Sequence, residues 1–206
     1  MHFLKKIVKR LFGLKGYYIL SSRFNTSLIQ MGFGKKKFPG LFQLNKLIKP
    51  GFVCVEIGAG VGYYTSAMSR LSGREGKILA MEWSPELMDI LKLNLLSGGF
   101  KNVQVFETRL PEELLSSLSR LDFIRWNEDS DDFVIDRDLK NSLLKFRPLV
   151  QFRNINTRVT NQAILFFDSV GYELNVIQNS ELVRISSADL PAYPAEIYFV
   201  PGTSAS

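Results

Sequence analysis

Two glutamates, Glu56 and Glu82, bracket three closely spaced glycines, a set that suits a nucleoside ligand carrying positive charge. Gly58, Gly60 and Gly62, with the small Ala59 among them, follow directly on the β-branched run Val53, Val55, Ile57. Tyr63–Leu71 then has helical composition, and Lys77–Glu82 is a second strand that ends on its acid. Small residues where a parallel strand meets a helix let the backbone approach a ligand closely, and the helix N-terminus offers it free N–H groups and partial positive charge. Glu82 stands 20 residues beyond Gly62, close to the spacing at which a doubly wound fold sets an acid on ribose hydroxyls. The glycines run G-x-G-x-G, so the third falls one place earlier than in the dinucleotide pattern. Glu56, two residues before the first glycine, is expected to aim at the ligand, where it would repel a pyrophosphate and suit a cationic amine. S-adenosylmethionine has an α-amino group, a sulfonium and a ribose but no phosphate, and it fits the two carboxylates better than NAD does.

The neighbouring elements place further candidates. Trp83 either lies against an adenine face or packs on the helix that Ser84 and Pro85 begin. Val103–Phe106 is a third strand, with Glu107, Thr108 and Arg109 at its end on the adenine side. Leu121–Trp126 is a fourth strand, followed by the run Asn127, Glu128, Asp129, Ser130, Asp131, Asp132. In an open parallel sheet, ligands bind beyond the strand C-termini where strand order reverses. The first and fourth strands flank that point, so Asn127, Glu128 and Asp129 are expected to face the transferred methyl group. The alternative is a solvated turn and helix start, since Ser and Asp are also good caps. Leu149–Arg153, the helix Asn161–Val170, and strands over Tyr172–Gln178, Leu182–Ile185 and Glu196–Val200 complete the domain. Strands alternating with helices predict an α/β, doubly wound, mainly parallel sheet.

Composition narrows the chemistry. At 206 residues, 46% hydrophobic and 22% charged, the chain is sized for one domain with a full core. A single cysteine, Cys54, rules out an internal disulfide and a cysteine-based zinc cluster; it is expected to be a small buried hydrophobe. His2 is the only histidine, too near the terminus to serve a histidine triad or HExxH site. No metal ligands are assigned, because clustered acids alone are weak grounds for a Mg²⁺ site. Residues 1–50 hold 11 Lys and Arg and no acid, so the remaining chain carries 15 basic against 20 acidic residues, a net of −5. Met1–Lys15 is a basic amphipathic helix, read as a cap on the domain or as a peripheral contact with an anionic membrane. With no apolar run of membrane-spanning length and no signal peptide, a cytoplasmic, possibly membrane-peripheral location is expected. The expected organisation is a basic extension at 1–50, the ligand-binding domain at 51–200 and a disordered tail at 201–206.

The segments EIGAGVGYYT and GKILAMEWSPELMDILKLNLLSGGFKNVQVFE resemble the S-adenosylmethionine-dependent methyltransferases of the FkbM family. The resemblance covers Phe38 to about Val200, specifically in the first half and loosely in the second. It implies a class I methyltransferase sheet of seven strands with the last antiparallel. It also implies cofactor contacts from the GYYT tyrosines, Tyr63 and Tyr64, and O-methylation of a glycan or natural-product hydroxyl. The family loop K-I-D-V-E-G is replaced here by Arg125, Trp126, Asn127, Glu128, Asp129 and Ser130. Any general base would be Asp129, Glu128, Tyr63 or Tyr64. That altered loop motivates a rival reading, a non-catalytic S-adenosylmethionine-binding or adaptor protein. EIGAGVG also resembles rRNA adenine dimethyltransferases, but an acidic, aromatic-free loop would neither stack a flipped base nor tolerate phosphates, so no nucleic-acid partner is expected.

Overall fold

The computed structural model describes residues 10, 16, 39–127, 132–154, 156–179, 181–190 and 195–202. One eight-stranded sheet forms the middle layer. Its strands are β1 (Val53–Ile57), β2 (Lys77–Met81), β3 (Val103–Phe106), β4 (Phe123–Trp126), β5 (Leu149–Asn154), β6 (Tyr172–Gln178), β7 (Glu181–Arg184) and β8 (Ala195–Pro201). They lie in the order β3-β2-β1-β4-β5-β8-β6-β7. The pairs joining β3, β2, β1, β4 and β5 are parallel, whereas β8 runs antiparallel to both β5 and β6. This is the doubly wound, mainly parallel sheet expected, with its order reversing between β1 and β4. The eighth strand is β7, a short hairpin arm that β6 adds at the sheet edge.

Alternation along the strands divides the chain's core into two layers. Val55, Ile57, Leu79, Met81, Ile124, Trp126, Val150, Phe152, Ile197 and Phe199 point to one face. Residues of α4 (Glu112–Ser116), α5 (Arg137–Phe146) and α6 (Thr157–Ser169) cover them. On the other face, Cys54, Ile78 and Phe123 meet α1 (Pro39–Leu47) and α2 (Tyr63–Ser72), and Ala80 meets α3 (Pro85–Gly98). Cys54 is buried, as its strand position implied. Leu41 and Leu44 of α1, with Ile48 just beyond it, repeat at helical spacing and are all buried. Each contributes about 1.5–3 kcal/mol by leaving water. Ser84 accepts from Leu87 N–H and caps α3, while Gly99 ends it in a left-handed conformation at φ 67°. Helix α5 has no counterpart in the sequence reading, although Asp136 accepts from two first-turn N–H groups and Leu139 and Leu143 form its buried stripe.

Candidate functional site

The glycine turn leaves β1 at Ile57 and enters α2 at Tyr63. Gly58 and Ala59 both donate to the Met81 carbonyl, at 3.1 and 2.9 Å, which fastens the turn across the end of β2. Gly62 is in the left-handed region (φ 89°), and a Cβ there would stand 2.6 Å from Leu91 Cδ1. Conformation and the α3 contact both demand glycine at that place. As N-cap, Gly62 has no side chain to offer, so no side chain caps the start of α2. A helix start without a side-chain cap is one that can face a ligand anion.

Glu82 closes β2 beneath that turn. Its Oε2 accepts Gly60 N–H at 2.7 Å and its Oε1 accepts Ser84 N–H at 2.8 Å. The backbone fixes the carboxylate's direction and leaves each oxygen a further lone pair, the set needed to receive a vicinal diol. Beside it opens a cleft of about 290 Å³ lined by Ile57, Met81, Trp83, Thr108, Trp126 and Val134, among others. The lining is mostly apolar with a polar rim, and Trp83, 46% exposed, forms part of the wall. A flat purine fits such a slot. Thr108 is one of its lining residues.

Asn127 follows β4 and ties three elements together. Its N–H donates to the Ile57 carbonyl, its Nδ2 donates to the Gly58 carbonyl, and its Oδ1 accepts from Arg153 Nη1, at 2.9, 2.9 and 3.0 Å. A carboxamide with both ends engaged holds the glycine turn in place and has no proton-accepting nitrogen. Glu128 and Asp129 lie outside the described residues.

Glu56, by contrast, does not face the cleft. Strand alternation turns it to the α1/α2 side, 1% exposed, in register with Arg125 of β4. Thr65 Oγ1 donates to its Oε2 at 2.5 Å, and Arg125 Nη1 stands 3.7 Å from its Oε1. Arg125 Nη2 stands as far from Glu196 Oε1, and its guanidinium lies over the Tyr64 ring with Cζ 3.4 Å from the centroid. Burial pushes the Glu56 carboxyl up to about 7, against the pull of Arg125 and the Thr65 hydrogen bond. Tyr64 belongs to this cluster and not to the cleft. Its hydroxyl donates to Glu196 Oε1 at 3.1 Å, and burial raises its phenol further, so it is no base. Tyr63 packs in the apolar cluster beside α1. The sequence gives Thr65 and Glu196 no role, and it places Arg125 only in the stretch that replaces the family loop. A charged residue inside the apolar strand LDFIRW was the signal for Arg125.

Residues 39–109, about a third of the chain, match the family model of protein-L-isoaspartate(D-aspartate) O-methyltransferase. The protein-L-isoaspartate O-methyltransferase of Methanococcoides burtonii is 41% identical over 58 residues, 28% of this chain and 29% of that enzyme. The probable cobalt-precorrin-6B C(15)-methyltransferase (decarboxylating) of Sulfurisphaera tokodaii is 27% identical over 126 residues, 60% of this chain and 64% of that one. Among solved structures, precorrin-6y C5,15-methyltransferase from Geobacter metallireducens superposes with a TM-score of 0.59 at 18% identity, covering 79% of this chain and 86% of that one. The matches span less than two thirds of the length of either curated relative.

The fold is that of the class I methyltransferases, and S-adenosylmethionine is the cofactor these likenesses support. They overturn the FkbM resemblance. The stretch that carried it matches the isoaspartate methyltransferase model. An acid, a G-x-G-x-G turn, a helix and a strand ending in an acid specify a cofactor site that many acceptor chemistries share, so they do not select a family. The glycan acceptor falls with it, since the relatives are named for protein isoaspartate and for a precorrin. No helix among the described residues is long and apolar enough to cross a membrane. The membrane contact expected of residues 1–15 falls almost wholly outside them.

Proposed function

We propose that this chain is a methyltransferase that uses S-adenosylmethionine, with Glu82 as its ribose ligand. The observation that carries the proposal is Glu82 itself, pinned by Gly60 and Ser84 N–H groups with its spare lone pairs beside a purine-sized cleft. Trp83, Thr108 and the apolar strand ends would hold the adenine. The uncapped start of α2 and the glycine turn would take the amino-acid end. Bound there, the cofactor supplies a methyl group on a sulfonium, already a good leaving group. The protein's task is to align an acceptor with it and to exclude water, which is worth several kcal/mol of barrier.

Asn127 is a positioning residue in this reading, because it fixes the Gly58 carbonyl and Arg153. Acid–base work falls to Glu128 or Asp129, which follow it in the chain. The acceptor atom is left to the half of the fold beyond β3. The cobalt-precorrin relative aligns with more of this chain than the isoaspartate enzyme does, which favours a small-molecule acceptor over a protein carboxyl.

Calorimetric titration with S-adenosylmethionine and S-adenosylhomocysteine tests the cofactor site. The expected result is micromolar binding of both, weakened at least 100-fold by Glu82→Ala with the fold intact by circular dichroism. Absence of binding to the wild-type chain, or full binding to the variant, would sink the proposal.

A further inference from the structure

One row of side chains crosses the sheet on the α1/α2 face in strict register. It runs Glu56, Arg125, Gln151, Tyr198 and Asn175 from β1 through β4, β5 and β8 to β6. Each is no more than 6% exposed, whereas the opposite face at the adjacent positions is wholly apolar. Burying so many polar groups is costly unless each finds partners. Here the accounting does not close. Two carboxylates, Glu56 and Glu196, share the single guanidinium of Arg125, at 3.7 Å each, and among the described residues no second cation stands on the Glu56 side. Among the described residues, Glu56 Oε1, Glu196 Oε2 and Gln151 Oε1 are buried oxygens with no hydrogen-bond donor, and Arg125 Nε is a buried donor with no acceptor. Gln151 and Glu196 side chains converge on Gly40, where a Cβ would stand within 2.7 Å of both. Two carboxylates on one guanidinium, each with an orphaned oxygen, call for a bound proton.

Groups on several elements face this pair of carboxylates. Helix α2 gives Thr65 and Tyr64, β4 gives Arg125, and α1 gives the Gly40 carbonyl, which accepts from Gln151 Nε2. Strand β8 adds Tyr198, whose hydroxyl is bonded to Gln151, and Glu82 stands at the end of β2. Arg153 of β5 pulls on Glu196, and Glu82 adds repulsion at Glu56. None of them supplies a second full positive charge to the Glu56 side. That charge can arrive from outside, because Glu56 lies two residues before the glycine turn and is bonded to the first turn of α2.

We propose that Glu56, Arg125 and Glu196 form a buried proton-holding triad that distinguishes the sulfonium cofactor from its uncharged thioether product. The inference rests on the S-adenosylmethionine reading above. In the free protein one proton sits on the carboxylate pair. When a cation occupies the glycine turn, the pair ionises fully and the proton passes to solvent, so the charge of the buried cluster and ligand together is conserved. The thioether product brings no sulfonium charge and leaves the proton where it is. Below neutrality the protein then favours product over cofactor, and above it the reverse.

The test is calorimetric titration of the full chain with both ligands between about pH 5.5 and 7, in two buffers of different ionisation enthalpy. Cofactor affinity is expected to fall by about tenfold per pH unit on the acid side, with release of up to about one proton. Affinity for the product, which has the same amino and carboxyl groups, should change less. Glu56→Gln should flatten the cofactor's profile and abolish the release. Glu196→Gln serves if that variant does not fold. It leaves Arg125 to Glu56 alone and should move the midpoint to lower pH. Equal pH profiles for the two ligands, or an unchanged profile in either variant, would overturn the triad while the cofactor site stands. Absence of cofactor binding at every pH would instead strike the methyltransferase reading itself.

Discussion

The ends of β1 and β2 carry the same side chain, two residues apart in depth, and the fold gives them opposite work. Glu82 stands just past its strand, where backbone N–H groups of Gly60 and Ser84 hold it at the edge of the cleft. Glu56 stands one residue inside its strand, so the pleat turns it beneath the sheet onto Arg125 and Thr65. Hydrogen bonds from neutral donors orient Glu82 and leave it a charge to offer a ligand. Glu56 spends its charge on an internal partner and is only half satisfied by it. A carboxylate at a strand terminus is therefore informative only once its position relative to the last pleat is known.

The largest test of this contrast removes the partner. Arg125→Met should destabilise the protein by about 3–5 kcal/mol, because it removes the cation that Glu56 and Glu196 share and leaves Glu196 only the pull of Arg153. Urea denaturation at pH 8 measures it. A loss below about 1 kcal/mol would mean that the ion pair does not carry the cluster. Next comes the pH dependence of stability. The Glu56 carboxyl is raised from 4.5 to about 7, so the native state holds a proton that the unfolded chain has lost. Its contribution is then full below about pH 4.5 and disappears as pH rises to about 7. The total is about 3 kcal/mol on that branch. Glu56→Gln should remove the decline, and denaturation curves that show the same slope in both proteins would refute the assignment.

Much of this molecule is legible in its sequence, and the two glutamates show where legibility ends. Local chemistry fixes the glycine turn, the Ser84 cap and the stop at Gly99, so β1 through β3 follow from neighbouring residues alone. The pleat sets the direction of Glu56, but its partner Arg125 lies 69 positions later, and Glu196, which shares that guanidinium, 71 positions beyond that. Sequence periodicity does not report such long-range pairing. For the same reason Tyr64, adjacent to the glycines in sequence, was assigned to the cofactor although it lies under Arg125. Helix α5 was missed for another reason. Its cap, Asp136, stands among the acids that follow β4, and its buried stripe is short. The family resemblance failed because the glycine turn records a cofactor and says little of an acceptor.

The finest test separates the two carboxylates by a single hydroxyl. Thr65 Oγ1 donates to Glu56 Oε2 in the buried cluster, and this bond lowers the proton affinity of Glu56. Thr65→Val keeps the volume and removes the donor. The expected cost at pH 8 is about 1 kcal/mol, and the pH at which the Glu56 contribution disappears should move upward. Glu82 makes no bond to Thr65, so binding of S-adenosylhomocysteine, which depends on the ribose ligand and carries no sulfonium, should change by less than about twofold. Titrating the variant with that ligand beside its denaturation curve measures both. If binding and stability fell together, the two glutamates would form one coupled site, and the division of labour drawn between them would be wrong.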